Sequence, residues 1–129
     1  MSEQTSIATD EAPRGTGAYS QAIRAGDLVF ISGQGPLDPA TLEVRGETIE
    51  EQTEITLRNV EAIARAAGGS LADAVKVGVF LAKISDFAAF NSTYERILDS
   101  SPRPARTTVA CELKGIMVEI DAVLYLPQR

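Results

Sequence analysis

The chain has 129 residues, enough for one hydrophobic core but not two, and its 44% apolar and 23% charged residues are the balance of an ordinary folded domain. A net charge of −6 with 5% aromatic residues argues against a general nucleic-acid binder, which needs a basic face and stacking platforms. The absence of histidine excludes His-ligated zinc and Ser-His-Asp or Cys-His catalysis, and a single cysteine excludes an internal disulfide and a Cys-rich metal site.

The organisation expected is one domain over residues 1–129, with 1–15 a loose arm because it is polar and carries Pro13 and Gly15. Tyr19 to Arg24 and Leu28 to Ser32 read as two strands around the turn Ala25-Gly26-Asp27. Gly33 to Pro39 reads as a loop, and a short extended piece is expected near Val44. Thr48-Ile49-Glu50-Glu51 has the pattern of a capping box, and Thr53, Leu57, Val60, Ala64 and Ala67 recur at helical spacing until Gly68-Gly69. Val75, Val77, Val79 and Leu81 alternate as in a strand with one buried face. A second helix from about Asp86 carries Phe87, Phe90, Tyr94 and Ile97 on one stripe. After the stiff connector Ser101-Pro102-Arg103-Pro104, in which Arg103 is expected to be solvated or paired at an interface, Arg106 to Leu113 and Ile116 to Leu126 read as the last two strands. The order β-β-(β)-α-β-α-β-β predicts an α+β sheet with two helices on one face. Strand residues that are apolar on both sides, such as Ile120 and Ala122 against Met117, Val123 and Tyr125, predict association through the other face.

The chemistry concentrates in Pro104-Ala105-Arg106-Thr107-Thr108-Val109 and Val118-Glu119-Ile120-Asp121. A guanidinium at the mouth of a strand can grip a small carboxylate through two parallel hydrogen bonds. A half-buried glutamate on a neighbouring strand can position or deprotonate a water. The pairing suggests an enzyme acting on a small carboxylic acid, although spacing alone does not choose between Glu119 and Asp121. Gly33-Gln34-Gly35 is neither a P-loop nor a dinucleotide fingerprint, so chemistry without a cofactor is expected. No apolar run approaches the roughly 20 residues of a membrane span. The start Met1-Ser2-Glu3-Gln4-Thr5 lacks the features of a signal peptide, and the lone Cys111 suits a reducing interior, so a cytoplasmic location is expected.

Gly17-Ala18-Tyr19-Ser20-Gln21-Ala22, Val29-Phe30-Ile31-Ser32-Gly33-Gln34, Asn91-Ser92-Thr93-Tyr94 and the two carboxy-terminal motifs together resemble the Rid (reactive intermediate deaminase, or YjgF) family, in order from about Ile7 to Leu126. The resemblance implies a chorismate-mutase-like α+β fold, a homotrimer with clefts between subunits, and hydrolysis of 2-imino acids such as 2-iminobutanoate and 2-iminopropanoate, or their 2-enamino forms, to 2-keto acids and ammonia. It implies no cofactor, while the composition and the lack of a long apolar run lead to the expectation of no metal and no nucleic-acid or membrane partner. The residues it assigns are Arg106 to the substrate carboxylate, Glu119 to the attacking water or proton transfer, and Tyr19, Ser32, Gly33, Asn91 and the Thr108 amide to the cleft. The alternatives are a trimeric module that binds 2-keto acids or similar carboxylates without turnover, and a ribonuclease. Three features depart from the family pattern: Thr108 where cysteine is frequent, Ala18 where proline is common, and a shorter segment between Val109 and Glu119.

Overall fold

A computed structural model describes residues 4–15 and 17–128. Six strands form one mixed sheet: β1 (Gln4–Ile7), β2 (Ala22–Ala25), β3 (Leu28–Gln34), β4 (Ala74–Leu81), β5 (Ala105–Ala110) and β6 (Val118–Tyr125), in the spatial order β1-β2-β3-β6-β4-β5. Two helices, α1 (Ile49–Ala66) and α2 (Phe87–Ile97), pack on each other, and α1 lies against β3 and β6. Among the described residues no helix is long and apolar enough to cross a membrane.

The core lies between α1 and the sheet. Leu57, Val60 and Ile63 of α1 meet Val77, Val79, Ile120 and Leu124 of the sheet, all essentially inaccessible. The capping box forms as its sequence predicts: the Glu51 amide donates to Thr48 Oγ1 at 3.1 Å, and Glu51 Oε1 accepts from the Thr48 amide at 3.3 Å. At the other end Gly68, with φ of 96°, lets the Gly69 and Gly68 amides return to the Ala64 and Arg65 carbonyls. The β2–β3 hairpin turns through Gly26 and Asp27, with Gly26 at a φ of 62°.

Several expectations are corrected. Residues 4–15 are not a loose arm: Gln4–Ile7 pairs antiparallel with β2 at the sheet edge, where a strand can stay polar because most of its surface faces water. The buried Gln21 side chain fastens the following turn, accepting from the Thr9 amide at 2.7 Å and donating to the Pro13 carbonyl at 2.9 Å. Residues 1–3 of the expected arm lie outside the described residues. Tyr19 precedes β2 rather than belonging to it, Gly33 and Gln34 continue β3, and the piece near Val44 is a single bridge to Leu37. Val75 is 46% exposed rather than buried with Val77, because a register shift between Ala74 and Lys76 reverses the alternation there. Arg103 is exposed, as a solvated side chain would be, and its Nη1 also donates to the Leu98 carbonyl at 2.6 Å, satisfying the end of α2.

The largest correction concerns the last two strands, which are not neighbours. α2 carries the chain from β4 across to β5, which therefore runs parallel to β4 at the sheet edge. β6 then inserts on the other side of β4, antiparallel to both β4 and β3. β4 thus stands between Arg106 and Glu119.

Candidate active site

Alternation along the strands divides the expected site residues between the two sides of the sheet. Arg106 and Thr108 stand beside Val77 and Val79, whose side chains are buried under the helices. Glu119 lies between buried Val118 and Ile120 and so faces the side without helices.

On the helix side, the Arg106 guanidinium sits in a seat made by one face of α2. Its central carbon is 4.7 Å from the Tyr94 ring centroid, 5.6 Å from Phe87 and 5.8 Å from Phe90. Nη1 donates to Asn91 Oδ1 at 2.7 Å, and Asn91 Nδ2 in turn donates to Glu95 Oε1 at 3.0 Å. The rings hold the flat cation through cation–π attraction without consuming its N–H groups. Arg106 makes no ion pair among the described residues, so most of its donor fork is left for a ligand. It opens onto a groove of about 340 Å³ lined also by Asn91, Tyr94, Glu95, Arg103 and Pro104. Burial raises the Tyr94 phenol pKa, an effect that Arg106 and Arg103 partly oppose. The hydroxyls of Tyr94 and Thr108 are buried without a hydrogen-bond partner among the described residues.

On the open side, Glu119 stands next to the bulged end of β3, where the register shifts between Ile31 and Gln34. Its carboxylate lies so close over Gly33 that a Cβ there would collide with Oε2. Burial raises the Glu119 carboxyl pKa, and the negative charge of Asp121 raises it further. Asp121 is also raised by burial, although the Gly78 amide and the Lys76 ammonium pull it back. Gly78 accommodates Asp121 as Gly33 accommodates Glu119, since a Cβ on Gly78 would meet Oδ1. Gly33→Ala is therefore expected to displace the Glu119 carboxylate and to lower turnover more than thermal stability, measured by steady-state kinetics beside a melting curve. Phe30, Val109 and Tyr125 on this side are 45%, 41% and 51% exposed, leaving apolar surface in water.

Ser32 and Tyr19 have local roles in the chain. Ser32 Oγ donates to the Ser20 carbonyl at 2.6 Å, tying down the segment that carries Tyr19. The Tyr19 ring, 55% exposed, packs over Gly15, where a Cβ would meet it at 2.5 Å. The fold thus brings Asn91, Arg106 and Thr108 to one face, and Ser32, Gly33 and Glu119 to the other. It does not unite them within one chain. The aromatic seat was missed as part of the site because Phe87, Phe90 and Tyr94 read as an ordinary core stripe. Its signal was the position of that stripe on the helix leading into the arginine strand. Among the described residues no three carboxylate or thiol side chains converge to hold a metal ion.

The comparisons with known proteins match this architecture. A sequence model of the Endoribonuclease L-PSP family covers residues 9–126. The chain belongs to that family, which is the YjgF/RidA family. A RutC family protein of Sinorhizobium fredii is 48% identical over 122 residues, covering 93% of this chain and 96% of the relative. The structure of RidA from the Antarctic bacterium Psychrobacter sp. PAMC 21119 is 45% identical, with a TM-score of 0.89 over 95% of this chain and 99% of its own. Escherichia coli TdcF, solved with bound serine, is 34% identical with a TM-score of 0.87, over 94% of this chain and 98% of its own. Two helices on one face of a six-stranded mixed sheet are therefore the Rid fold in this chain, as its motifs predict.

Proposed function

We propose that this Rid-family protein hydrolyses small 2-imino acids and their 2-enamino forms to 2-keto acids and ammonia. It would do so in the cytoplasm, at clefts between copies of the chain in a homotrimer. The observation that carries the reading is Arg106: a guanidinium seated by three rings and Asn91, with no carboxylate partner among the described residues and an open groove before it. Such a group is prepared for a carboxylate from outside the chain. The serine bound to TdcF, itself a small amino acid, supports that class of ligand.

In the mechanism, the substrate carboxylate docks on Arg106 with help from the Thr108 amide, fixing the imine carbon. Glu119 accepts a proton from a water as that water adds to the C=N carbon. Glu119 then gives that proton to the nitrogen of the tetrahedral carbinolamine, and as the C–N bond breaks and ammonia leaves, Glu119 takes up the hydroxyl proton while the C=O bond forms. A carboxylate with a raised pKa suits these proton transfers near neutral pH. Tyr19, Ser32 and Gly33 would shape the wall on the Glu119 side. Arg106 and Glu119 lie on opposite faces with β4 between them, so the reading requires a second copy to complete each cleft. The exposed apolar residues of the open face support such association.

The test generates 2-iminobutanoate in situ from threonine with a dehydratase and follows its capture by semicarbazide. The protein is expected to suppress capture. Saturable 2-keto acid binding with no effect on imine decay would instead make it a binding module. The family description also brings RNA cleavage to mind, but the charge of −6 disfavours a polyanionic substrate. Cleavage that vanished in Arg106→Ala and Glu119→Gln would establish it.

A further inference from the structure

Two buried side-chain amides that the proposed mechanism does not use converge on the backbone around Glu119. Gln34 and Gln52 are each 5% exposed. Gln34 ends β3, beside Ile120 on the helix side of the sheet. Its Nε2 donates to the Ser32 carbonyl at 3.1 Å and to the Gly33 carbonyl at 3.3 Å. These are the two residues of the bulge that brings Gly33 against the Glu119 carboxylate. Gln52, in the first turns of α1, reaches the other flank. Its Oε1 accepts from the Met117 amide at 2.8 Å, and its Nε2 donates to the Gly46 carbonyl at 3.1 Å. Met117 lies two residues before Glu119, and its carbonyl accepts from the Ala82 amide at 3.0 Å, so the two peptide groups that flank its Cα are each held.

A strand bulge re-aims its neighbours only if its shape is held, because the extra residue has no ladder partner of its own. An amide suits the task here, since it satisfies partly buried backbone groups that an apolar side chain would leave bare. We infer that Gln34 and Gln52 are positioning residues for Glu119, clamping the β3 bulge and the entry to β6 so that its carboxylate stays pressed against Gly33. The inference rests on the reading of Glu119 as the proton-transfer group. Water excluded from one side of the carboxylate by the clamped bulge keeps the charged form less solvated. The other titratable groups facing the same side of these strands are Asp121 and Tyr125 on β6 and Lys76 on β4, and neither amide touches them.

The experiment compares Gln34→Met and Gln52→Met with wild type in the full-length protein, using the pH profile of imine hydrolysis and the NMR titration of the Glu119 carboxyl carbon. Loosening either clamp should admit water, lower the Glu119 midpoint and the acid limb together by about half a pH unit, and reduce kcat roughly tenfold. A merely structural amide would lower the melting temperature and leave both midpoints unmoved, and that result in a folded variant overturns the assignment for that residue. If Gln34→Met does not fold, Gln34→Asn, an amide too short to span the bulge, takes its place with the same expected shift. Glu119→Gln is run in parallel. If it keeps the wild-type rate, the reading of Glu119 fails, while the NMR midpoint still decides on the clamp.

Discussion

Arg106→Ala is expected to lose about 100-fold or more in kcat/KM for a 2-imino acid, because two charge-assisted hydrogen bonds of about 1.5–3 kcal/mol each vanish with the guanidinium. The fold has little reason to follow. Arg106 lies at an edge strand, and its side chain contributes one hydrogen bond and a stack on rings that pack elsewhere. Circular dichroism and a melting temperature within a few degrees of wild type would check this. Arg106→Lys should not restore the rate, since a lysine ammonium cannot make the bidentate contact and does not lie flat on Tyr94, Phe87 and Phe90. Activity within tenfold of wild type in Arg106→Ala would remove the guanidinium from the site.

For Glu119→Gln the expectation is a separation of binding from turnover. The rate should fall by about 10²–10⁴, the usual contribution of a positioned acid–base group. Binding of a 2-keto acid, read by calorimetry, should persist because Arg106 is untouched. In wild type the active form is the carboxylate, so activity should rise with pH through a midpoint above the ordinary glutamate value, in the direction set by burial and by Asp121. Stability runs the other way. Above the unfolded-state pKa the unfolded chain has released a proton that the native Glu119 still holds. Native stability therefore falls as pH rises from the ordinary glutamate value through the raised one. Glu119→Gln abolishes that fall, so at pH 7 the inactive variant should melt higher than wild type, and near pH 4 the difference should close. A variant that is both inactive and less stable at pH 7 would show that Glu119 supports the fold instead.

The local elements were legible because their signals are local. The Thr48 capping box, the Gly68-Gly69 cap and the stripe through Phe90 and Tyr94 each depend on a few consecutive turns, and each forms as read. Strand Gln4–Ile7 was not legible, because an edge strand needs only a pairing partner and leaves no alternating apolar pattern. Val75 was misplaced because a single-residue bulge inverts alternation without leaving a mark in composition. The site was legible as residues and not as geometry. Arg106 and Glu119 stand out by type and position. That they face opposite ways follows from which strand sits beside which, and β5 and β6, adjacent in sequence, are parted by β4. Gln34 and Gln52 were silent for a related reason, since an amide that holds distant backbone cannot be told from a solvated one before the fold is known.

The most direct test of the central claim is complementation. Arg106→Ala and Glu119→Gln are each assayed alone for imine hydrolysis, then unfolded together, refolded as a mixture and assayed again. If each cleft takes Arg106 from one copy and Glu119 from another, the mixture should regain a definite fraction of wild-type activity that neither parent shows. A refolded mixture that stays as inactive as its parents, beside wild type recovered by the same procedure, would contradict a site shared between copies.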